Sequence, residues 1–342
     1  MGIAPDAIRI TDLIRGLLDR GYFQATDTVT QAIVGNSTGG VMKRRLQEVI
    51  DEAARLEAAG LALEMSNPVV VAFLSDYEAA LKADGVLIRS ASEVVQQVGI
   101  DAAGPLVRQL ALPGMSDEML AQLGITWNTP SPEAVNALVN FVGSPVFEAK
   151  ITKFVEGTLA QAQNVIIRGM VEGIGPVAIA RNLQNVIPGL SSSNAQQLMR
   201  TLQLTSFRES QRVHRVANAH ILEYQIRIAA LDDRTCMSCV ALHGEILPID
   251  DRIDDHHRGR CTSVTKIKGL PPPDVEAGES WFNRQNPVTQ QNMMGQAAWD
   301  AWKAGAISLQ DFPKPYEDDL FGRMIGENSL VGILGDGAQE FK

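Results

Sequence analysis

Cysteine, aromatic side chains and long apolar runs are all scarce in this 342-residue sequence. Three cysteines cannot close a disulfide framework, so a disulfide-stapled secreted fold is excluded. No stretch approaches 18 consecutive apolar residues, and no membrane span is expected. The start, Met1 to Asp6, lacks a charged segment followed by an apolar one, so no cleaved secretion signal is expected. Lysine and arginine number 30 against 40 aspartate and glutamate, a net charge of −10, which argues against a nucleic-acid binder with a wholly basic surface. Aromatic content of 5% and charged content of 20% are low for a compact enzyme, yet 45% hydrophobic residues exclude wholesale disorder. The length suits about two domains of ~150 residues.

What is present is mostly helical pattern. Ile10, Leu13, Ile14, Leu17 and Leu18 recur at three- and four-residue steps, and 41–61 is rich in good helix formers after the Gly39-Gly40 break. Helices are expected near 67–83, 91–111, 131–142 and 146–172. Pro188-Gly189 is expected to separate a short helix at 177–186 from a long one running from about Ser193 to Leu231. From Leu231 to Leu270 the chain turns short, polar and turn-rich, as a small metal-pinned hairpin module would. Pro271-Pro272-Pro273 reads as a stiff spacer, followed by a helical segment at 285–304, loops, and a Gly-rich end expected to fray. The fold class is thus mainly α: an extended helical N-terminal body (1–145), a module over 146–270 with its metal knuckle at 232–261, and a Pro-led helical tail (271–342).

All three cysteines fall within 26 residues, as Cys236, Cys239 and Cys261. Cys236 and Cys239 are three positions apart on a tight turn, and Cys261 follows the pair His256-His257. A Cys-x-x-Cys knuckle and a second ligand pair from a distant turn close a tetrahedron around zinc. The candidate ligands are Cys236, Cys239, Cys261 and either His256 or His257, with His243 a competitor four residues past the knuckle. Four protein ligands leave no open position, which makes such a zinc structural.

Several enzyme signatures come close and fail. His243-Gly244-Glu245 lies after the Cys-x-x-Cys, the inverse of the order in zinc nucleoside deaminases. A thioredoxin-type site needs a strand and helix around the motif, and Val240 to Glu245 opens no convincing amphipathic helix. Asp254, Asp255, His256 and His257 resemble a metal-dependent nuclease of the HNH kind, but no histidine follows His257; the two carboxylates read better as support for the ligands or a solvated loop. No phosphate-binding glycine loop is complete. Residues 145–230 are the basic block, nine cations to five anions. Within it Arg208, Arg212 and Arg215 share one helical face suited to DNA phosphates or an acidic partner, with an ordinary solvated face the plain alternative.

Leu231-Asp232-Asp233-Arg234-Thr235-Cys236-Met237-Ser238-Cys239, continuing to His243-Gly244, resembles the signature of the phage head morphogenesis, Mu protein F-like, minor capsid proteins. In that family a His-Pro-x-Cys-Arg-Cys box follows. Here it is His256-His257-Arg258-Gly259-Arg260-Cys261, with His257 in place of the proline and Gly259 in place of the first cysteine. The resemblance, spanning about 146–325, therefore points to Cys236, Cys239, His256 and Cys261 as the ligands of one structural Zn2+. It implies a non-enzymatic virion component inside the capsid of a tailed phage, present in the host cytoplasm during assembly. The partners it implies are the portal protein, the major capsid or scaffolding protein, and packaged double-stranded DNA bound without sequence preference. Its role would be in head assembly and in DNA packaging and ejection. Some relatives carry a fused C-terminal enzyme, for which the ~70 residues after the proline spacer are too short.

Overall fold

Heptad-like spacing decides the first described elements. Met42, Leu46, Val49, Ala53 and Leu56 fall on one face, and all are buried along helix α2, Gly40–Ala58. The computed structural model describes residues 23–341 other than Pro113; the amphipathic stretch Ile10 to Leu18 lies outside them. The helices before the sheet are α1 (Gln24–Thr38), α2, α3 (Pro68–Ala111), α4 (Asp117–Gln122), α5 (Pro132–Leu138), α6 (Pro145–Val171) and α7 (Pro176–Ala217). Serines 116, 131 and 144 cap α4, α5 and α6, each accepting a backbone N–H from three residues on.

The chain forms two compact units, one of residues 23–95 and 141–202, the other of 96–140 and 203–342. The first is helical. Its core includes Phe73, Tyr77, Leu81, Phe147, Ile151 and Ile166, and Arg45–Asp76 and Arg89–Glu148 ion pairs tie its helices at the rim.

The second unit holds every described strand. β1 (Leu222–Ile228) is central in an antiparallel sheet of order β2-β1-β3, with β2 at Ile246–Leu247 and β3 at Thr262–Ile267. A short helix α8 (Met237–Leu242) lies between β1 and β2. After β3 come α9 (Gly278–Asn283), α10 (Pro287–Met294), α11 (Gln296–Lys303), a hairpin of β4 (Pro313–Asp318) and β5 (Gly322–Glu327), and α12 (Leu330–Leu334). Met237, Cys239, Val240 and Cys261 share one core with Phe282, Met294, Ala301, Leu309 and Phe312. The cysteine-bearing segment thus draws its apolar packing from the segment after the proline spacer.

Three expectations are corrected. Helix α7 runs through Pro188-Gly189 unbroken, because burial of Ile187, Ala195, Leu198, Met199 and Leu202 offsets the ~3 kcal/mol local cost of an interior proline. It stops at Ala217 rather than Leu231. The Asn218 side chain takes the His214 carbonyl and both backbone groups of Asn128, and Leu222, Tyr224, Ile226 and Ile228 then alternate as a strand. The Gly-rich end does not fray either: Ala338 is buried, and Leu330, Ile333, Leu334 and Phe341 pack on the shared core. No helix among the described residues is long and apolar enough to cross a membrane.

Candidate metal centre

Cys236 is the N-cap of α8, so its extended backbone ends the loop and its Sγ accepts the Cys239 N–H. One helical turn then sets both sulfurs on the same side. His256 reaches them from the loop before β3: its Nε2 lies 3.3 Å from Cys236 Sγ and 3.4 Å from Cys239 Sγ. Its Nδ1–H donates to the His257 carbonyl at 2.9 Å, which leaves Nε2 with the lone pair that a metal takes. Cys261 stands immediately before β3 and shares a second close group with Cys239 and Asp255. Cys239 belongs to both groups and links the Cys236–His256 pair to Cys261.

Electrostatics at the cluster separates the sulfurs. The hydrogen bond from Cys239 pulls the Cys236 thiol down to about 4 against its burial, with His256 assisting. Burial opposes a charged His256, but Cys236 and Asp255 outweigh it and push the imidazole to about 10. Cys239 is held well above its usual range by its bonds to Cys236 and Cys261 and by burial. Without an ion the pair Cys236–His256 carries the charge. A soft dication would take up all three thiolates and the neutral imidazole.

The remaining candidates lie elsewhere. His257 turns away, its Nε2 3.4 Å from Asp318 and its ring against Tyr316 and Phe321. His243 accepts the Ala229 N–H on Nδ1 at 2.9 Å, and burial pushes it down to about 4, so it serves as a neutral core acceptor. Asp254 pairs with Arg323 at 3.4 Å. Asp255 is buried between Arg208 (2.8 Å) and Arg227 (3.9 Å) and accepts the N–H groups of His256 and Cys261. Asp255 and His256 thus both turn toward Cys239, whereas Asp254 and His257 turn to other partners. Among the described residues, no close group of potential ligands includes Asp254 or His257.

The arginine stripe is also corrected. Arg208 is buried, donating to the Cys261 and Gly259 carbonyls and to Asp255. Arg215 is about 1% exposed and holds the Ile249 and Asp251 carbonyls and Ser263 Oγ. Only Arg212, paired with Glu209, reaches the surface in part. The helical face is real, but it faces the sheet and its loops rather than solvent.

Two contacts brace the cysteine box, one joining its ends and one joining it to the later hairpin. Arg260 donates a fork of hydrogen bonds to the Asp232 carboxylate, at 2.7 and 2.5 Å. Asp232 also takes Thr235 Oγ1 and the Arg234 N–H, so the turn before the knuckle is clamped to the loop before Cys261. The second contact gives no sequence signal: Glu327 of β5 accepts the Met237 N–H at 2.6 Å, at the N-terminus of α8. Ile325 N–H donates to the Asp255 carbonyl, and Arg252 donates to the Phe321 carbonyl. The hairpin thus closes over the cluster.

Residues 160–276 match the family described as phage Mu protein F like protein, about a third of the chain and all of the cysteine box. The resemblance carried by 232–261 is therefore shown for that segment, which ends before the closing hairpin begins. No curated protein and no solved structure matches the chain.

Proposed function

We propose that this chain is a structural, non-enzymatic head protein of a tailed bacteriophage whose Mu F-like segment is pinned by one zinc ion. The observation that carries the reading is a pair of close ligand groups inside the matched segment, Cys236–Cys239–His256 and Cys239–Asp255–Cys261, joined by their shared Cys239. The donor set fits Zn2+: three sulfurs and a correctly oriented imidazole, buried or half-buried, with carboxylate and arginine support behind them. Cys236 and Cys239 come from the N-terminal turn of α8, and His256 and Cys261 from the loop into β3, so one ion cross-links two segments separated by about 20 residues. Zinc binding worth ~10–16 kcal/mol in finger peptides is ample to order such a module. All four positions being protein ligands, the ion holds structure and activates no water.

The role that follows is assembly at the capsid interior, beside the portal, with the portal, major capsid or scaffolding protein as partners. The helices of 23–95 supply the arm that grips a partner. The domain scheme 1–145, 146–270 and 271–342 is retained as a functional division, with the third segment packed onto the second. Packaged DNA is a weaker candidate partner, since Arg208 and Arg215 are engaged internally. The decisive experiment locates the protein in purified heads made with and without the portal. Presence only in portal-bearing heads supports the reading; absence from all heads, or divalent-dependent cleavage of DNA by the zinc-loaded chain, overturns it.

A further inference from the structure

Arg227 is the largest unexplained charge in the second unit. It sits in β1 opposite Ser263 of β3, one diagonal step from Cys261, where a long side chain reaches across the sheet face. The side chain is 2% exposed, its Nε has no hydrogen-bond partner, and a terminal nitrogen lies 3.9 Å from Asp255. Burial opposes the charge on the guanidinium, while Cys261, Asp255 and Cys239 add to the negative field that favours it. A buried cation with incomplete hydrogen bonding and no close ion pair is costly, unless more negative charge stands nearby than the Asp255 carboxylate alone provides.

We propose that Arg227, together with Arg208, is the charge partner of the loaded metal centre, balancing the surplus negative charge of a three-thiolate site. This rests on the zinc reading above. Three thiolates and a neutral imidazole around a dication leave one net negative charge, and Asp255 adds a second. Arg208 and Arg227 are the two buried guanidiniums that contact Asp255, and with them the sum is zero. Arg208 is satisfied by Asp255 and two carbonyls, so the remaining charge at the sulfurs falls to Arg227. Arg227 is a positioning residue: it stabilises the Cys261 and Cys239 thiolates in their bound form and touches no ion itself. The centre accordingly favours a dication with three thiolates, and a neutral residue at 227 leaves an uncompensated buried charge.

The test uses the full chain and Zn2+ in competition with a chromophoric chelator, with Co2+ absorption as a second readout of the ligand set. Arg227→Gln is expected to weaken zinc binding 10–100-fold, the range seen when partners behind metal ligands are lost. Arg227→Lys, which keeps the charge, is expected to stay within a few-fold of the parent, with an unchanged Co2+ thiolate band. Parent-like affinity in Arg227→Gln overturns the inference. So does an equal loss in the Gln and Lys variants with helical circular dichroism retained, because shape and not charge would then be the requirement. A parent that binds no zinc sinks the underlying reading instead, and the two failures are distinguished by the first measurement.

Discussion

The Asp255 carboxylate occupies the space into which a side chain at residue 259 would project: a Cβ on Gly259 would fall on the carboxylate carbon and both its oxygens. That carboxylate cannot yield, because Arg208 and the N–H groups of His256 and Cys261 all hold it. Gly259→Ala is therefore expected to break a buried charged network, at a cost on the order of 3–5 kcal/mol, and to lower zinc content. Gly337→Ala, whose Cβ would meet only Leu334 at an ordinary 3.8 Å, is the control. Metal analysis and thermal melting of both variants check the pair, and a Gly259→Ala protein that melts with the parent contradicts the packing argument.

Removing the metal is expected to loosen one unit and spare the other. The four tryptophans, Trp127, Trp281, Trp299 and Trp302, all lie in the unit of 96–140 and 203–342. A chelator, or Cys239→Ser, should thus shift tryptophan emission strongly while most far-ultraviolet circular dichroism persists, since the helices of 23–95 and 141–202 contain no cysteine. Loss of helical signal in step with the tryptophan shift would contradict the independence of the two units.

The cysteine box was legible because thiols are rare in this chain and ligand spacing is constrained by coordination geometry. Spacing alone leaves His256 and His257 open and the resemblance favours His256; the structure turns His256 to Cys236 and Cys239 and His257 to Asp318. Helical spacing put Arg208, Arg212 and Arg215 on one face, but period alone does not say whether a face meets solvent or a sheet. β1 was missed because its arginine and glutamate matched the preceding helix in composition, although Leu222, Tyr224, Ile226 and Ile228 alternate. The closing hairpin carries Pro313, Pro315 and Gly326, residues with low strand preference, so its pairing is set by tertiary contact rather than by local pattern.

Two helical glycines in α6 should respond with opposite signs. A Cβ at Gly157 meets nothing within 4 Å, so Gly157→Ala is expected to stabilise by about 0.5–1 kcal/mol through helix propensity. A Cβ at Gly169 meets the Ile179 side chain at 2.5 Å, and Gly169→Ala is expected to destabilise by ~1–3 kcal/mol through overpacking. Denaturant titrations followed by circular dichroism give both values, and equal shifts in the two variants would refute the close approach of Gly169 to Ile179.

A pH dependence is expected from the helical unit. Asp84 of α3 is fully buried, accepts one hydrogen bond from Asn36 Nδ2 at 2.9 Å on Oδ1, and leaves Oδ2 without a hydrogen-bond partner. Burial pushes its carboxyl up to about 6, against the Asn36 hydrogen bond. The unfolded chain releases this proton near pH ~3.9, so between there and about 6 the folded state binds more protons than the unfolded one. Stability from this group is therefore complete below the unfolded value and declines as pH rises through about 6, by roughly 2–3 kcal/mol in all. Asp84→Asn keeps the shape, can retain the Asn36 contact and carries no charge. It should raise the melting temperature of the helical unit at about pH 7.5 and change it little at about pH 4. Thermal melts of the parent and the variant across that range measure the difference. A variant that melts with the parent at every pH would mean that Asp84 does not carry the penalty its burial implies.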